Sequence, residues 1–165
     1  MTRDFALVDT NIWRFALAKP KEKEFAELNE KAQRFLSSLV NDQTVRIGLS
    51  SYQVCEILEV LRKTGISREE REKILEDFKK AKFYVKPLTL EDAVKAARDS
   101  AKSNIHVCDY LVVYPLRGVL NAIYSADSHL MHEDFTSICE VINPLSPWFQ
   151  TEGKQPQKLA RGRVA

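Results

Sequence analysis

Apolar positions along this chain fall into two patterns. Residues 5–9 form a short apolar run that stops at Asp9, and 44–49, 83–85, 120–124 and 138–142 are brief runs of the same type. Each has the length of a strand and is bounded by turn-forming or capping residues. Between them, longer polar segments carry apolar residues at helical spacing. Phe25, Leu28, Ala32, Phe35, Leu36 and Leu39 predict an amphipathic helix over 21–41. Ser50 and Ser51 supply an N-cap for a helix over about 52–64 that closes at Gly65. Ser67 with Glu70, and Thr89 with Asp92, have capping-box spacing and predict helices running to about residues 81 and 102. A further helix is expected over about 108–117, weakened by Pro115 and closed by Gly118. Short strands alternating with longer helices predict an α/β fold with a parallel sheet covered on both faces.

With 165 residues the chain is expected to form one domain. Its 44% hydrophobic and 29% charged residues are those of a globular protein. No apolar run approaches the ~20 residues that span a bilayer. The first strand begins too early to leave room for a signal peptide, so a cytoplasmic protein with no membrane association is expected. Cys55, Cys108 and Cys139 are odd in number and form no C-x-x-C pair, so reduced, core-packed thiols are expected. Lys154, Lys158, Arg161 and Arg163 against Glu152 give residues 151–165 a net charge of +3. From a total of +2, the rest of the chain carries −1. That body lacks the basic bias of a dedicated duplex-DNA binder. Prolines and glycines from Pro144 onward predict an irregular arm. The expected division is 1–149 as the globular domain and 150–165 as a flexible basic tail.

Asp9 is the most informative residue. In an α/β protein the carboxyl end of a strand faces the crevice where ligands bind. There Asp9 is followed by a hydroxyl at Thr10 and an amide at Asn11. Three later acids have comparable addresses. Glu56 lies in the first turns of the helix after the second strand. Asp109 opens a helix that precedes the 120–124 strand, and Asp127 follows that strand just after Ser125. Asp109 is the hardest to place, because its helix comes before its strand. Four carboxylates at one sheet edge would repel one another unless protonated or neutralised. Mg²⁺ or Mn²⁺, which prefer oxygen ligands, would relieve that repulsion and support phosphodiester hydrolysis. The chain has no P-loop, no G-x-S-x-G elbow and no G-x-G-x-x-G, which argues against an NTPase, a serine hydrolase and a dinucleotide enzyme.

Val8-Asp9-Thr10-Asn11, Glu56 within Ser-Tyr-Gln-Val-Cys-Glu-Ile-Leu-Glu-Val-Leu, Asp109 opening Asp-Tyr-Leu-Val-Val, and Ser125-Ala-Asp127 resemble the PIN domain, in particular VapC-type toxin ribonucleases. The resemblance spans about residues 5–142. It implies a PIN-like Rossmannoid three-layer α/β/α sandwich with a mainly parallel five-stranded sheet. It also implies a Mg²⁺- or Mn²⁺-dependent endoribonuclease acting on RNA, often a homodimer and partnered by an antitoxin. Carried over, Asp9, Glu56, Asp109 and Asp127 would be the catalytic, metal-holding acids, with Thr10, Asn11 and Ser125 orienting them or bound water. The chain departs from the family's small residues and unbroken helix after the third acid, where Tyr110, Tyr114 and Pro115 intervene.

Each residue also has a plainer reading. Asp9 suits a turn, and Asp109 or Asp127 suits a helix cap. Glu59, one turn after Glu56, is the alternative inward acid. His106, His129 and His132 read as surface residues, and Trp13 and Tyr52 as core or interface residues. Arg14 reads as a phosphate contact or a solvated helix charge. Two other functions compete: a catalytically inactive PIN-like module that binds RNA or protein, and phosphotransfer through Asp9. Asn11 breaks the Asp-x-Asp that a haloacid-dehalogenase-type phosphotransferase requires.

Overall fold

A computed structural model describes residues 3–160. Strand β1 (Asp4–Val8) leads directly into α1 (Thr10–Leu17), a helix to which the sequence reading gives no range. Its apolar residues Ile12, Trp13 and Ala16 are all buried. The helix expected over 21–41 begins later than its pattern suggests. A 3-10 turn over Lys23–Phe25 precedes α2 (Ala26–Asn41). Strand β2 (Val45–Ser50) follows, then α3 (Ser51–Lys63), with the Ser50 side chain accepting from Gln53 N as its cap. Gly65, at φ 87°, ends that helix in a conformation that favours glycine.

Both predicted capping boxes form. Ser67 and Glu70 open α4 (Arg68–Phe78), and Thr89 and Asp92 open α5 (Leu90–Ser103), with β3 (Phe83–Lys86) between them. Helix α6 (Val107–Val113) is shorter than expected. Pro115 ends it in a 3-10 turn, Tyr114–Leu116, because proline supplies no N–H to continue the α-helical ladder. That turn lies against β2, where a Cβ at Gly48 would stand 3.2 Å from Leu116 Cδ1. Then come β4 (Ala122–Tyr124), a 3-10 turn over Ser128–Met131, α7 (Glu133–Thr136) and β5 (Glu140–Ile142).

The sheet has five strands, all parallel, in the order β3-β2-β1-β4-β5. Alternate side chains of the strands enter two cores, one on each face. Val8, Ile47 and Leu49 pack with α1, α2 and α3 around Trp13, Phe78 and Phe83. Leu7 and Ile123 pack on the other face with Tyr110, Tyr114, Leu116 and Phe135. Burying one large side chain of this kind contributes roughly 1.5–3 kcal/mol. The chain therefore has helices on both faces of its sheet, as the alternation predicts.

The described residues after β5 fold back onto this body. β6 (Trp148–Phe149) pairs antiparallel with β7 (Gln157–Lys158), and Gln150 bridges to Asp127. The boundary expected at 149/150 falls inside this ladder. Lys158 pairs with Glu27 at 2.7 Å and lies over the Trp148 ring. Arg161 and Arg163 of the expected tail lie outside the described residues. The thiols are all free, but Cys55 is exposed on α3 and the other two are half-buried. The expectation of core-packed cysteines therefore fails at Cys55, whereas Cys139 packs against the core. Among the described residues no helix is long and apolar enough to cross a membrane.

Candidate active site at the carboxyl edge of the sheet

The order of the sheet determines where a site can form. β1 lies between β2, which follows it in the chain, and β4, which arrives from the far side. At such a switch point the loops after neighbouring strands diverge and leave a crevice at the carboxyl edge. Asp9 ends β1 at this edge, only 8% exposed, and its backbone caps α1. Ser125, also buried, ends β4 alongside. Its hydroxyl donates to Asp9 Oδ2 at 2.7 Å and accepts from Asp127 N at 2.9 Å, so one serine ties the two acid-bearing loops together.

Glu56 comes in from α3, where its Oε1 accepts a 2.5 Å hydrogen bond from Thr10 Oγ1. Glu59 points the other way. It is exposed and paired with Arg62 and Lys63, so Glu56 is the inward acid. Buried Gln53, one turn of α3 before Ile57, donates from Nε2 to Val8 O at 2.7 Å and fixes α3 against the end of β1.

Asp109 reaches the same edge because α6 runs antiparallel to the strands. α5 and α6 form an antiparallel pair, with Ser103 bonded to Tyr110 at one end and Asp92 to Arg117 at the other. From Arg117 the chain returns to the amino edge, where Asn121 hydrogen-bonds Phe5. The start of α6, and Asp109 with it, is therefore at the carboxyl edge. A helix that precedes its strand delivers its N-terminus to the same place as a helix that follows one.

The carboxyls influence one another strongly. Burial pushes the Asp9 carboxyl up to about 7. The Ser125 hydroxyl pulls against that shift, and Asp127 and Glu56 add to it by repulsion. Burial likewise pushes Asp109 up to about 8, with repulsion from Asp9, Asp127, Glu56 and Glu152 adding to it. Asp127 also caps its own 3-10 turn, accepting from His129 N at 2.9 Å. Its plain reading as a cap is thus correct and compatible with a place beside the other acids. Asn11 is half-buried at the start of α1, and its side chain makes no hydrogen bond among the described residues.

The structure places further side chains beside the acids. His129, read as a surface residue, stands between two acids, with Nδ1 3.7 Å from Asp109 Oδ2 and Nε2 3.6 Å from Glu152 Oε2. Glu152 arrives from the folded-back arm, and nothing local in the sequence marks it. Tyr52, two residues after the Ser50 cap, lies beside Glu56 and Cys108; burial raises its hydroxyl first and these neighbours add to the shift. Arg14 is half-buried; burial holds its guanidinium below its ordinary value, and the nearby Asp9 carboxyl pulls the other way.

No family model matches this chain, and no curated protein matches it in sequence. Among solved structures it is similar to a chain in the crystal structure of VapBC2 from Rickettsia felis bound to a DNA fragment from their promoter. The TM-score is 0.53 and the identity 14%, over 84% of this chain and 98% of that one. At that identity the likeness is one of fold: this chain has a PIN-like α/β fold.

The donor set has the chemistry of a hard-cation site, being made of carboxylate and hydroxyl oxygens. Among the described residues, however, no three His, Cys, Asp or Glu side chains stand close enough to hold an ion directly. Such spacing would suit only an ion held as Mg²⁺ commonly is, through one or two carboxylates and several waters. The raised Asp9 and Asp109 fit the same view: with no cation, protons take up the excess negative charge.

Proposed function

We propose that this chain is a Mg²⁺- or Mn²⁺-dependent endoribonuclease of PIN type, the toxin of a VapBC-like toxin–antitoxin pair. The observation that carries this reading is the meeting of Asp9, Glu56, Asp109 and Asp127 at the switch-point edge. There they repel one another and have no Lys or Arg salt bridge among the described residues. A fold merely stabilised by acids would pair them with cations. A site prepared for a metal and a phosphodiester leaves them free.

In this reading the four acids hold the cation, partly through water. When bound, such an ion neutralises charge developing on the phosphoryl group and lowers the pKa of a bound water. The chain's own groups set the geometry. Ser125 Oγ–H orients the Asp9 carboxylate, and Thr10 Oγ–H holds one oxygen of Glu56. Gln53 locks α3 to β1, so the Glu56 backbone cannot drift from Asp9. Each hydroxyl acts through the acid it orients, so both are positioning residues.

The similar fold comes from a structure of VapBC2, so an antitoxin belongs to this reading as partner, together with a homodimer and a cytoplasmic location. The test is cleavage of a mixed RNA pool in Mn²⁺ or Mg²⁺ by the wild type and by Asp9→Asn, with folding of both checked by melting. Cleavage that needs metal and is lost in Asp9→Asn is the expected result. RNA bound but uncut by the wild type would favour the binding module, which the lack of a ready-made three-ligand set also favours.

A further inference from the structure

Two grooves of about 450 Å³ and 340 Å³ open at the carboxyl edge, against the turn that joins α5 to α6. The first lies between that turn and the 3-10 turn after Asp127, and is lined by Asn104, Ile105, Ser128, His129 and His132, among others. The second shares Asn104 and Ile105 and adds His106, Val107 and Glu152. His129 of one groove stands 3.6 Å from Glu152 of the other, so the two are halves of one cleft. The cleft reaches the acids directly. One wall leads into α6 and Asp109, the other follows Asp127, and His129 Nδ1 is 3.7 Å from Asp109 Oδ2. The chain has three histidines, and all three line this cleft. No Lys or Arg lines either groove, and Glu152 is the one carboxylate in the lining.

Two of these imidazoles are held in one tautomer. His106 Nδ1 accepts from Cys108 N at 3.2 Å, and His132 Nδ1 accepts from Asp134 N at 3.1 Å. A ring nitrogen that accepts a hydrogen bond carries no proton, so each ring is uncharged and bears its proton on Nε2. Neither Nε2 has a hydrogen-bond partner among the described residues. We infer that this cleft carries the RNA strand to the acids, with His106 and His132 donating Nε2–H to its phosphate oxygens as uncharged donors. The inference rests on the ribonuclease reading. Contacts to phosphate position a strand without reading its sequence. Beside four carboxylates such contacts are best made without charge. A lysine or arginine would pair with the acids, whereas an imidazole N–H binds a phosphate oxygen and leaves them free for the cation. Glu152 already places an anionic oxygen against an imidazole edge here. An acidic peptide could take the same donors but would bring no phosphodiester to Asp109.

The test is binding of a labelled mixed-sequence single-stranded RNA to the full-length chain carrying Asp9→Asn, in Mg²⁺, across a salt series. Two pairs of substitutions separate the donor from the cap. Asparagine reaches as far as Nδ1 and caps a helix, but supplies nothing at Nε2. Glutamine carries an N–H out to the place of Nε2 but is not among the preferred caps. His106→Asn with His132→Asn should keep the melting temperature and weaken RNA binding about tenfold, at roughly threefold for each neutral donor lost. The slope of log Kd against log salt should stay the same, because uncharged donors release no counterions. His106→Gln with His132→Gln should lower the melting temperature by roughly 2–4 °C yet bind within about threefold of the parent. A folded asparagine pair that binds as tightly as the parent overturns the inference. So does a slope that falls with the affinity, which would make the imidazoles cations. So does a glutamine pair that loses as much binding as the asparagine pair, which would make the histidines structural. Polyglutamate binding that needs both histidines when RNA binding does not would assign the cleft to a protein and overturn it as well. Cleavage by the chain with Asp9 intact separates this inference from the reading beneath it. Cutting without histidine-dependent binding overturns the cleft alone. Histidine-dependent binding without cutting overturns the nuclease alone. A chain that neither binds nor cuts RNA overturns both.

Discussion

Two regions of this molecule gather carboxylates, and they treat them in opposite ways. On the α5–α6 face, Asp92 is only 5% exposed. Burial pushes its carboxyl up, but the Arg117 guanidinium and the Thr89 groups overcome that and hold it below the usual range. Nearby Asp99 is lowered by the Tyr114 hydroxyl and by Lys95. At the carboxyl edge of the sheet, Asp9 is also buried and Asp109 partly so, yet their close neighbours include further acids, and both are raised. The difference lies in the partner, not in burial. The first set of acids stabilises the fold in its charged form. In the second, Asp9 and Asp109 lack such a partner among the described residues and resist charging.

The contrast can be broken most forcefully at Glu56. Glu56→Gln keeps the shape and the Thr10 contact but removes a charge, and should cut metal-dependent RNA cleavage by about 10²–10³-fold. Ser125→Ala leaves all four acids in place and removes only the group that orients Asp9. A loss of about 10–100-fold in cleavage is expected, with the greater part in kcat. Arg117→Ala strikes the other region. Leaving Asp92 buried without its guanidinium should cost roughly 2 kcal/mol, a value discounted because Arg117 is partly exposed, and lower the melting temperature by about 4–8 °C. Cleavage by the fraction that remains folded should be unchanged. Glu59→Gln, one turn from Glu56 and paired only with exposed Arg62 and Lys63, should alter neither melting nor cleavage. Equal losses at Glu56 and Glu59 would mean that the inward and outward acids are not functionally distinct.

What the sequence revealed follows from the range of the interactions involved. The capping boxes at Ser67–Glu70 and Thr89–Asp92 are three-residue patterns, and both form as read. The strands β1 to β5 are marked by their own apolar runs, to within one or two residues. Helix α1 was equally legible, since Ile12, Trp13 and Ala16 share a face, but the Asp-Thr-Asn turn signal obscured it. The four acids were found by their positions relative to strands. The choice between Glu56 and Glu59 was not settled that way, because it depends on which face of α3 meets Thr10. Asp109 looked misplaced only until the antiparallel course of α6 was known. The two-residue strands β6 and β7 are too short to carry an apolar run of their own, and His129 beside Glu152 arises from an arm folding back over more than twenty residues of chain. No local pattern encodes that contact. Tyr110 and Tyr114, which depart from the family's pattern, have a structural explanation: both are buried and bonded to Asp134 and Asp99.

The most direct test is the melting temperature of chelator-treated protein as pH rises, with and without Mn²⁺, for the wild type and Asp9→Asn. Asp9 and Asp109 move from an ordinary value of 3.8 to about 7 and about 8 in the folded chain. Between these values the folded state holds more protons than the unfolded one. The stability they contribute is therefore complete below about 3.8 and is lost as pH rises through about 7–8. The account predicts a fall in melting temperature over that window without metal, its recovery in Mn²⁺, and a weakening of both effects in Asp9→Asn. A wild-type melting temperature that is flat across the window, or that Mn²⁺ leaves unchanged, would contradict the claim that these acids form an unneutralised cation site.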